Sequence, residues 1–281
     1  MRLSELQAAT EPVLFPERRP ERYKTMDNRI ALVTGAGRGI GRAIALSLAA
    51  AGRRVVVTAR TKEQLESLVG SIGEAGGQSL AIVADLVDQN APAQIVERVK
   101  KTWGPIEILV NNAGIGSSES PQQLVDYDDD FWDRSFAVNV NAPYRLTKLV
   151  LADMLQAGWG RIINIASING KVPVLHGAAY TATKHAMLGL TKVTALEVGD
   201  KGITANAVCP GVTATLMNDK RLQYDAQRTG NTPEQIEESA SLLGRRLDPD
   251  EVAAMAVFLA GDSAGAINGQ ALNVCGGRCF N

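Results

Sequence analysis

Cysteine is scarce in this 281-residue sequence, which contains only Cys209, Cys275 and Cys279. Three cysteines are too few for a disulfide framework, so their scarcity favours a reducing compartment, and we expect a cytoplasmic protein. No apolar run reaches the length of about 18 residues that a membrane-spanning helix needs, so we expect no membrane partner. The first 26 residues lack the apolar segment of a secretory signal and contain four glutamates, unlike an organelle transit peptide.

The sequence has no excess of positive charge either. Lysine and arginine total 29, aspartate and glutamate total 30, and the formal net charge is -1. Because a protein that binds a phosphate backbone needs a basic surplus, this balance argues against a nucleic-acid partner. Hydrophobic residues make up 45% of the chain, which is enough to build a sizeable core and excludes disorder for most of its length.

Proline and mixed charge distinguish residues 1–26 from the rest of the chain. Three prolines lie among charged side chains there and block a regular helix, so we expect a flexible N-terminal extension. An arm that clasps a neighbouring subunit is the alternative.

We expect residues 27–281 to form one domain. Within it, residues 212–247 are polar and weakly periodic, and a connection of this length predicts a lid over a functional site.

Short apolar runs alternate with helical patterns throughout residues 27–281. The runs predict seven strands, at 29–34, 54–59, 79–83, 106–110, 161–166, 203–208 and 270–274. The helical patterns lie at 40–51, 62–75, 93–103, 130–157, 178–199 and 249–260. Strands that alternate with helices imply right-handed crossover connections, so the sequence predicts an α/β fold with a parallel sheet.

A glycine-rich turn follows the first predicted strand. Gly35, Gly39 and Gly41 lie between this strand and the next helix, with Arg38 and Ile40 among them. Glycines let backbone N–H groups approach a pyrophosphate at a helix N-terminus, and this position in a strand–helix–strand unit predicts a dinucleotide site. The strict G-x-G-x-x-G spacing fails here, and a tight strand–helix turn without a ligand is the alternative.

The second strand ends without the carboxylate that binds the ribose hydroxyls of NAD. Its last residues are Thr58, Ala59 and Arg60, and Arg38 adds a second guanidinium from the glycine turn. Two guanidiniums without a competing acid suit a 2′-phosphate. The sequence therefore predicts NADP(H) as the cofactor. The alternative is that Arg60 is only a solvated residue at the start of a helix.

Tyr180 and Lys184 are four residues apart in a predicted helix, which places them on one face of it. An ammonium near a phenol favours the phenolate and lowers the pKa of the phenol, so this pair predicts an acid/base group for an alcohol or ketone oxygen. Ser167 follows the fifth strand, at the sheet edge where such folds bind ligands, and its hydroxyl is suited to donate to a substrate oxygen. Alone, the Tyr–Lys spacing also fits a surface pair.

These motifs occur in one order along residues 27–281: the glycine turn, Asp85, the segment 111–114, Asn139, Ser167, Tyr180, Lys184 and Pro210–Gly211. In this the sequence resembles the short-chain dehydrogenase/reductase family. Segments 165–171, 176–180 and 270–277 are similar to aromatic polyketide ketoreductases. Segment 184–197 also resembles 3-oxoacyl reductases and 3-hydroxybutyrate dehydrogenases. The resemblance implies a doubly wound Rossmann sheet of seven parallel strands with helices on both faces, and reversible hydride transfer.

The resemblance also implies a role for each motif residue. Tyr180 is expected to be the general acid/base, Lys184 to lower its pKa and bind the nicotinamide ribose, and Ser167 to orient the substrate oxygen. Asn139 is expected to hold a proton-relay water. The expected cofactor-binding residues are Gly35, Arg38, Gly39, Ile40, Gly41, Arg60, Asp85, Leu86, Asn112, Gly114, Tyr180, Lys184, Pro210, Gly211 and Thr213.

We expect substrate contacts from the two variable segments, 169–176 and 212–247, and the candidate residues are Asn169, His176, Val212 and Met217. For His176 the alternative is a loop histidine that bonds to backbone. The aspartates between positions 126 and 133 suit a helix start better than a metal site, so no metal is expected.

The predicted reaction is NADPH-dependent reduction of a small-molecule ketone to a secondary alcohol. The expected ketone is β-ketoacyl or polyketide-like, and a thioester-linked substrate is one option. The alternatives are a degradative secondary-alcohol dehydrogenase, similar to 3-hydroxybutyrate dehydrogenase, and a non-catalytic NADP-binding sensor. Family members imply a homotetramer or dimer, with 130–157 and 178–199 as interface helices.

Overall fold

The computed structural model describes residues 28–281, and the predicted N-terminal extension lies outside the described residues. One sheet contains seven strands, which all pair in parallel in the order β3-β2-β1-β4-β5-β6-β7. The strands are β1 Ile30–Thr34, β2 Arg54–Ala59, β3 Gln78–Val83, β4 Ile108–Asn111, β5 Gly160–Ile165, β6 Ile203–Pro210 and β7 Ala271–Val274. This order confirms the predicted Rossmann fold.

Helices connect the strands and cover both faces of the sheet. The α-helices within the described residues are α1 Gly39–Ala50, α2 Lys62–Glu74, α3 Ala91–Thr102, α4 Asp129–Phe136, α5 Ala142–Ala157, α6 Ala178–Val198, α7 Leu216–Thr229, α8 Pro233–Glu238 and α9 Pro249–Leu259. None of them combines the length and apolarity that crossing a bilayer requires.

Two apolar cores lie on the two faces of the sheet. Alternate residues of one strand point to opposite faces, so Val33 packs with α1, α2 and α9, whereas Leu32 packs with α3, α5 and α6. The central strands β1, β4, β5 and β6 are buried at every position. Burial on both faces explains why these strands are almost continuous apolar runs in the sequence.

The predicted helix 130–157 is divided into two helices. A π-helical turn, Ala137–Asn141, separates α4 from α5, and the N–H of Ala142 donates to the carbonyl of Ala137. Pro143 follows and has no N–H for the carbonyl of Asn139, so the α-helical bond at this point cannot form. The wide turn is the consequence, and it places Asn139 beneath the edge of the sheet where the site lies.

The predicted lid segment, 212–247, contains two helices that its weak periodicity does not reveal. Thr215 caps α7 through a bond from the N–H of Asn218 to its hydroxyl. Thr232 caps α8, and Gln235 returns a bond to the Thr232 N–H, which forms a capping box. Both helices are predominantly polar, so a hydroxyl cap at the start of each helix is a clearer sequence signal than an apolar face.

The sheet reverses its winding between β1 and β4. From this point β2 and β3 extend to one side, whereas β5, β6 and β7 extend to the other. The connections that leave the carboxyl ends of β1 and β4 therefore diverge and open a crevice between them, which is where sheets of this type bind ligands.

Candidate active site

A cleft of about 1210 Å³ lies at the carboxyl ends of the strands. This volume exceeds the upper range of about 1,000 Å³ for a site that holds one drug-sized ligand, so the cleft has space for a dinucleotide and a second molecule. All fifteen predicted cofactor residues line it. Of the remaining predicted residues, those that line it are Ser167, Asn169, Val212 and Met217.

The glycine turn forms one wall of the cleft, and its backbone could not accept side chains. A Cβ atom at Gly41 would lie 2.4 Å from the carbonyl oxygen of Gly35, and one at Gly35 would lie 2.8 Å from the Cα of Ala113. Gly35 and Gly39 also have positive φ angles, of 63° and 54°. The backbone thus packs tightly behind the turn and leaves its N–H groups at the start of α1 open to the cleft, which suits a pyrophosphate.

Asn112 and Thr34 fix the glycine turn to β4. The side-chain amide of Asn112 donates to the carbonyl oxygens of Thr34 (2.8 Å) and Gly35 (3.1 Å). The Thr34 hydroxyl accepts from the N–H groups of Asn112 and Ala113, each at 3.0 Å. The side chain of Asn112 therefore holds the turn in place, and Thr34 is a positioning residue that the sequence analysis missed.

Two guanidiniums lie at the end of the cleft that β2 forms. Arg38 and Arg60 both line the cleft, both are exposed, and within residues 28–281 neither side chain has a hydrogen bond or ion pair. Asp85 also lines this end, where its carboxylate accepts from the N–H of Val87 at 3.0 Å. This end of the cleft thus offers two cations that other groups do not neutralise.

Ser167, Tyr180 and Lys184 form the polar centre of the cleft. Ser167 and Tyr180 line the cleft together, and hydrogen bonding by Ser167 acts to lower the pKa of the Tyr180 phenol. The Lys184 ammonium lies 5.6 Å from the centroid of the Tyr180 ring and donates to the carbonyl oxygen of Ile165 at 2.8 Å. The three predicted residues therefore meet, because β5 ends at Ser167 and α6 passes beside it.

The pKa of Tyr180 moves in the direction opposite to the sequence-based expectation. Burial raises the pKa of the phenol, and the hydrogen bond with Ser167 offsets only part of that rise. Burial also lowers the pKa of Lys184 to about 8. Because the ammonium bonds to Ile165 and not to the phenol, it does not outweigh the burial of Tyr180, and the phenol keeps its proton at neutral pH.

Asn139 lies behind the cleft and does not line it. Its side chain is completely buried, accepts from the N–H of Ile115 (2.8 Å), and donates to the carbonyl of Ile115 and the hydroxyl of Thr183 (both 3.0 Å). Ile115 is a cleft residue. The side chain of Asn139 therefore fixes one wall of the cleft, and Thr183 shares this role although no sequence signal pointed to it.

His176 is the predicted substrate residue that does not line the cleft. Its ring bonds to the hydroxyl of Tyr224 on α7, and its backbone has a positive φ of 57°. The partner is thus a side chain, not the backbone that the alternative interpretation expected. His176 connects the loop after β5 to α7 and positions other residues of the cleft wall.

Of the residues of α7 and its surroundings that line the cleft, the sequence analysis named Met217 but missed Ser118 and Arg221. Ser118 donates to the carbonyl of Met217 at 2.9 Å, and the Met217 side chain packs over Gly116. Arg221 also lines the cleft. Ser118 and Arg221 belong to segments with no motif, so no sequence signal pointed to them.

The aspartates between positions 126 and 133 form a helix start, as expected. The carboxylate of Asp128 accepts from the N–H groups of Asp130 and Phe131 and caps α4. In the part of the chain that the structure describes, no three His, Cys, Asp or Glu side chains converge as they would around a metal ion.

Comparisons with known proteins agree with this geometry. The family model described as short chain dehydrogenase matches residues 29–225. A Streptomyces coelicolor protein that carries a ketoacyl reductase name is 40% identical over 258 residues, which are 90% of this chain and 98% of that protein. The D-beta-hydroxybutyrate dehydrogenase of Cupriavidus necator is 36% identical over 259 residues, with the same coverage of both chains.

A solved structure is similar as well. The crystal structure of a variant of the actinorhodin polyketide ketoreductase with NADPH superposes with a TM-score of 0.84 at 38% identity, and covers 90% of this chain and 97% of that one. The fold, the shared motifs and the family match lead to one conclusion: this chain belongs to the short-chain dehydrogenase family of oxidoreductases.

Proposed function

We propose that this protein uses NADPH to reduce a ketone to a secondary alcohol. The observation that carries the proposal is the assembly of Ser167, Tyr180 and Lys184 in a cleft whose other end is a glycine cradle. Two hydroxyls at one point of the cleft suit a carbonyl oxygen. The phenol of Tyr180 carries its proton at neutral pH, and reduction requires an acid that gives a proton to the ketone oxygen.

The cleft residues fit NADP(H) along its length. The backbone of the glycine turn would hold the pyrophosphate. Arg38 and Arg60, which form no ion pair within residues 28–281, would bind the 2′-phosphate. The NADPH in the similar polyketide ketoreductase supports this assignment. Bound NADPH supplies the hydride.

The chain's own residues would manage the oxygen and the proton. Ser167 and Tyr180 would donate hydrogen bonds to the ketone oxygen, and Tyr180 would transfer its phenolic proton to that oxygen as charge develops there. Lys184 would stabilise the resulting phenolate and hold the nicotinamide ribose. Asn139 would act from behind the cleft, through Ile115.

The substrate class we propose is a β-ketoacyl or polyketide-like ketone, which the ketoacyl reductase name of a 40% identical relative supports. The second candidate is oxidation of a secondary alcohol, favoured by the similarity to a D-beta-hydroxybutyrate dehydrogenase. A non-catalytic NADP sensor is disfavoured, because it would not need Ser167, Tyr180 and Lys184 assembled in the cleft.

The domain organisation, the oligomeric state and the localisation of the enzyme are also proposals. We propose one domain over 27–281, whose segment 212–247 closes over the cleft, and a homotetramer or dimer. Exposed apolar side chains on α5 and α6, such as Leu155 and Leu196 (85% exposed), support an interface there. Cytoplasmic localisation is supported by the three cysteines, which are all unpaired.

A ketone panel tests the proposed function. The purified protein is mixed with NADPH or NADH and with acetoacetyl thioesters, cyclic ketones or bulky aromatic ketones, and cofactor oxidation is followed. We expect turnover with NADPH to exceed turnover with NADH. If NADPH binds but no ketone is reduced, and alcohols with NADP⁺ also fail, the proposal is wrong.

A further inference from the structure

We propose that Arg246 is a positioning residue, which holds the two helices of the lid segment, α7 and α8, in the arrangement that binds the ketone. Arg246 lies near the end of this segment and lines the cleft. It belongs to no motif of the sequence. The proposal rests on the function proposed above, because the effect that it assigns to Arg246 is on ketone affinity.

The two ends of the lid segment are tied to each other by their backbones. An isolated parallel β-bridge joins Thr213 to Leu247. The N–H of Leu247 donates to the carbonyl of Val212 at 2.9 Å, and its carbonyl accepts from the N–H of Ala214 at 2.8 Å. The lid segment is therefore a loop with a closed base. Arg246 comes directly before this bridge, so its backbone has a fixed place at the base of the loop.

The side chain of Arg246 reaches both lid helices from this base. Its Nη1 atom lies 2.6 Å from the carboxylate of Asp219 on α7, and its Nε atom lies 3.2 Å from the carboxylate of Glu237 on α8. Nη1 also donates to the side chain of Asn218 at 3.3 Å. Within residues 28–281 no hydrogen bond or ion pair joins α7 directly to α8, so this guanidinium is the polar connection between the two helices.

The same guanidinium neutralises two like charges. The side chain of Arg246 is 17% exposed, so water screens its two ion pairs less than it screens pairs on the open surface. Without Arg246, the carboxylates of Asp219 and Glu237 would face the same place with no cation between them. Their repulsion would then add to the loss of both ion pairs and favour separation of α7 from α8.

The lid helices carry side chains that the ketone would meet, whereas the cofactor depends on the base of the loop. Met217 of α7 packs over Gly116, and Ile236 of α8 also lines the cleft. If these helices move apart, only a fraction of the molecules has the form that binds the ketone, and the apparent affinity falls by that fraction. Thr213, an expected cofactor residue, is held by the β-bridge. Loss of the Arg246 side chain should therefore weaken ketone binding more than NADPH binding.

Arg245 provides a matched control for Arg246. It is the preceding residue, and its guanidinium pairs with Glu251 of α9 at 2.8 Å. Arg245 does not line the cleft, and within the described part of the chain its side chain makes no bond to α7 or α8. Arg245→Gln and Arg246→Gln therefore each remove one cation and its ion pairs from adjacent positions. Only the second change releases the lid helices.

Hydrogen–deuterium exchange and steady-state kinetics together test the proposal. We expect Arg246→Gln to speed exchange in α7 and α8 by about 3- to 30-fold and to leave α9 unchanged, whereas Arg245→Gln should leave α7 and α8 within about twofold. With the best ketone of the panel and saturating NADPH, Arg246→Gln should raise KM by a similar factor. Both kcat and the Kd of NADPH, measured by fluorescence, should stay within about twofold.

Two further variants show whether Arg246 acts through its two carboxylate partners. In a protein that already carries Asp219→Asn and Glu237→Gln, adding Arg246→Gln should change the ketone KM by less than about twofold, because the interactions that it would break are already absent. Arg246→Lys keeps the charge but not the planar group, and should recover part of the ketone affinity even if Arg246→Gln folds poorly.

Three results would overturn the proposal. They are unchanged exchange of α7 and α8 in Arg246→Gln, equal losses of ketone and NADPH affinity, and equal effects of Arg245→Gln and Arg246→Gln on KM. Absence of any ketone turnover would instead contradict the proposed function, and the exchange rates of α7 and α8 would still decide whether Arg246 holds them.

Discussion

Replacing Asn139 with alanine should damage both the stability of the protein and the shape of its cleft. The side chain makes three hydrogen bonds, two with the backbone of Ile115 and one with Thr183. Alanine leaves the N–H and the carbonyl of Ile115 without their partners. The wall of the cleft at Ile115 then loses its support from the π-helical turn.

The structure sets the size of the effect. Each unsatisfied polar group costs about 1–3 kcal/mol, and Ile115 is only partly buried, so we expect a loss of roughly 2–4 kcal/mol in the free energy of unfolding. For a chain of this size each kcal/mol lowers the melting temperature by about 2–4 °C. Asn164→Ala is the matched control. Asn164 bonds to Asn111 and Thr191 within the core and does not touch the cleft.

Urea denaturation and NADPH titration together measure the two effects. We expect Asn139→Ala and Asn164→Ala to lower the free energy of unfolding, but only Asn139→Ala to weaken NADPH binding and turnover at a temperature where both variants are folded. A loss below about 1 kcal/mol for Asn139→Ala would refute the reasoning from its hydrogen bonds. Equal functional losses in the two variants would refute the assignment of Asn139 to the cleft wall.

Three further predictions concern other parts of the site. Gly41→Ala places a Cβ atom 2.4 Å from the carbonyl oxygen of Gly35 and should weaken NADPH binding by about tenfold or more. Gly70→Ala is the control, because a Cβ atom there meets no atom within 4 Å. It should raise the free energy of unfolding by about 0.5–1 kcal/mol in urea denaturation, since alanine favours the helix α2. Arg38→Ala with Arg60→Ala should weaken NADPH binding by about 10- to 100-fold and NADH binding far less, and equal losses by calorimetry would contradict the 2′-phosphate assignment. Because burial lowers the pKa of Lys184 from 10.5 to about 8, the unfolded chain binds more protons between these values and stability rises with pH there. Lys184→Met should remove this rise, about 2 kcal/mol between pH 8 and pH 10, from the free energies of unfolding measured by denaturation, and an unchanged pH dependence would contradict it.

The sequence predicts the sheet well, because strands that are buried on both faces appear in the sequence as short, nearly continuous apolar runs. Each predicted strand lies within two residues of its observed bounds, and β2 is Arg54–Ala59 in both. Part of the site follows for the same reason, since Gly35, Asn112 and Ser167 come just after strand ends. Strand ends in a parallel sheet meet at one edge.

The helices after β6 could not be predicted from apolar periodicity. The polar helix α7 is held by its Thr215 cap and by ion pairs such as that of Arg221 with Asp225. The signal that was available is the capping box Thr232-Pro-Glu-Gln235 at the start of α8. Met217 was predicted from its place in the 212–247 segment, whereas the other α7 residues that line the cleft, such as Arg221, were missed because no motif marks them.

The π-helical turn and the protonation of Tyr180 were also beyond the sequence. A π turn shifts the side-chain pattern by one residue only, so 130–157 still reads as one helix. The pKa of Tyr180 depends on how deeply α6 buries the phenol and on whether the Lys184 ammonium bonds to Ile165 or to the phenol. Sequence spacing places Tyr180 and Lys184 on one face but gives neither quantity.

The most direct test of the account is turnover by Tyr180→Phe. With the best ketone of the panel and saturating NADPH, we expect the rate to fall by about 10²- to 10⁴-fold or more, because the acid that protonates the ketone oxygen is lost. NADPH binding, measured by fluorescence on the same sample, should stay within about twofold, since the phenol contributes little to holding a ligand that Lys184 and the glycine turn also bind. Turnover close to that of the original protein would contradict the proposed mechanism.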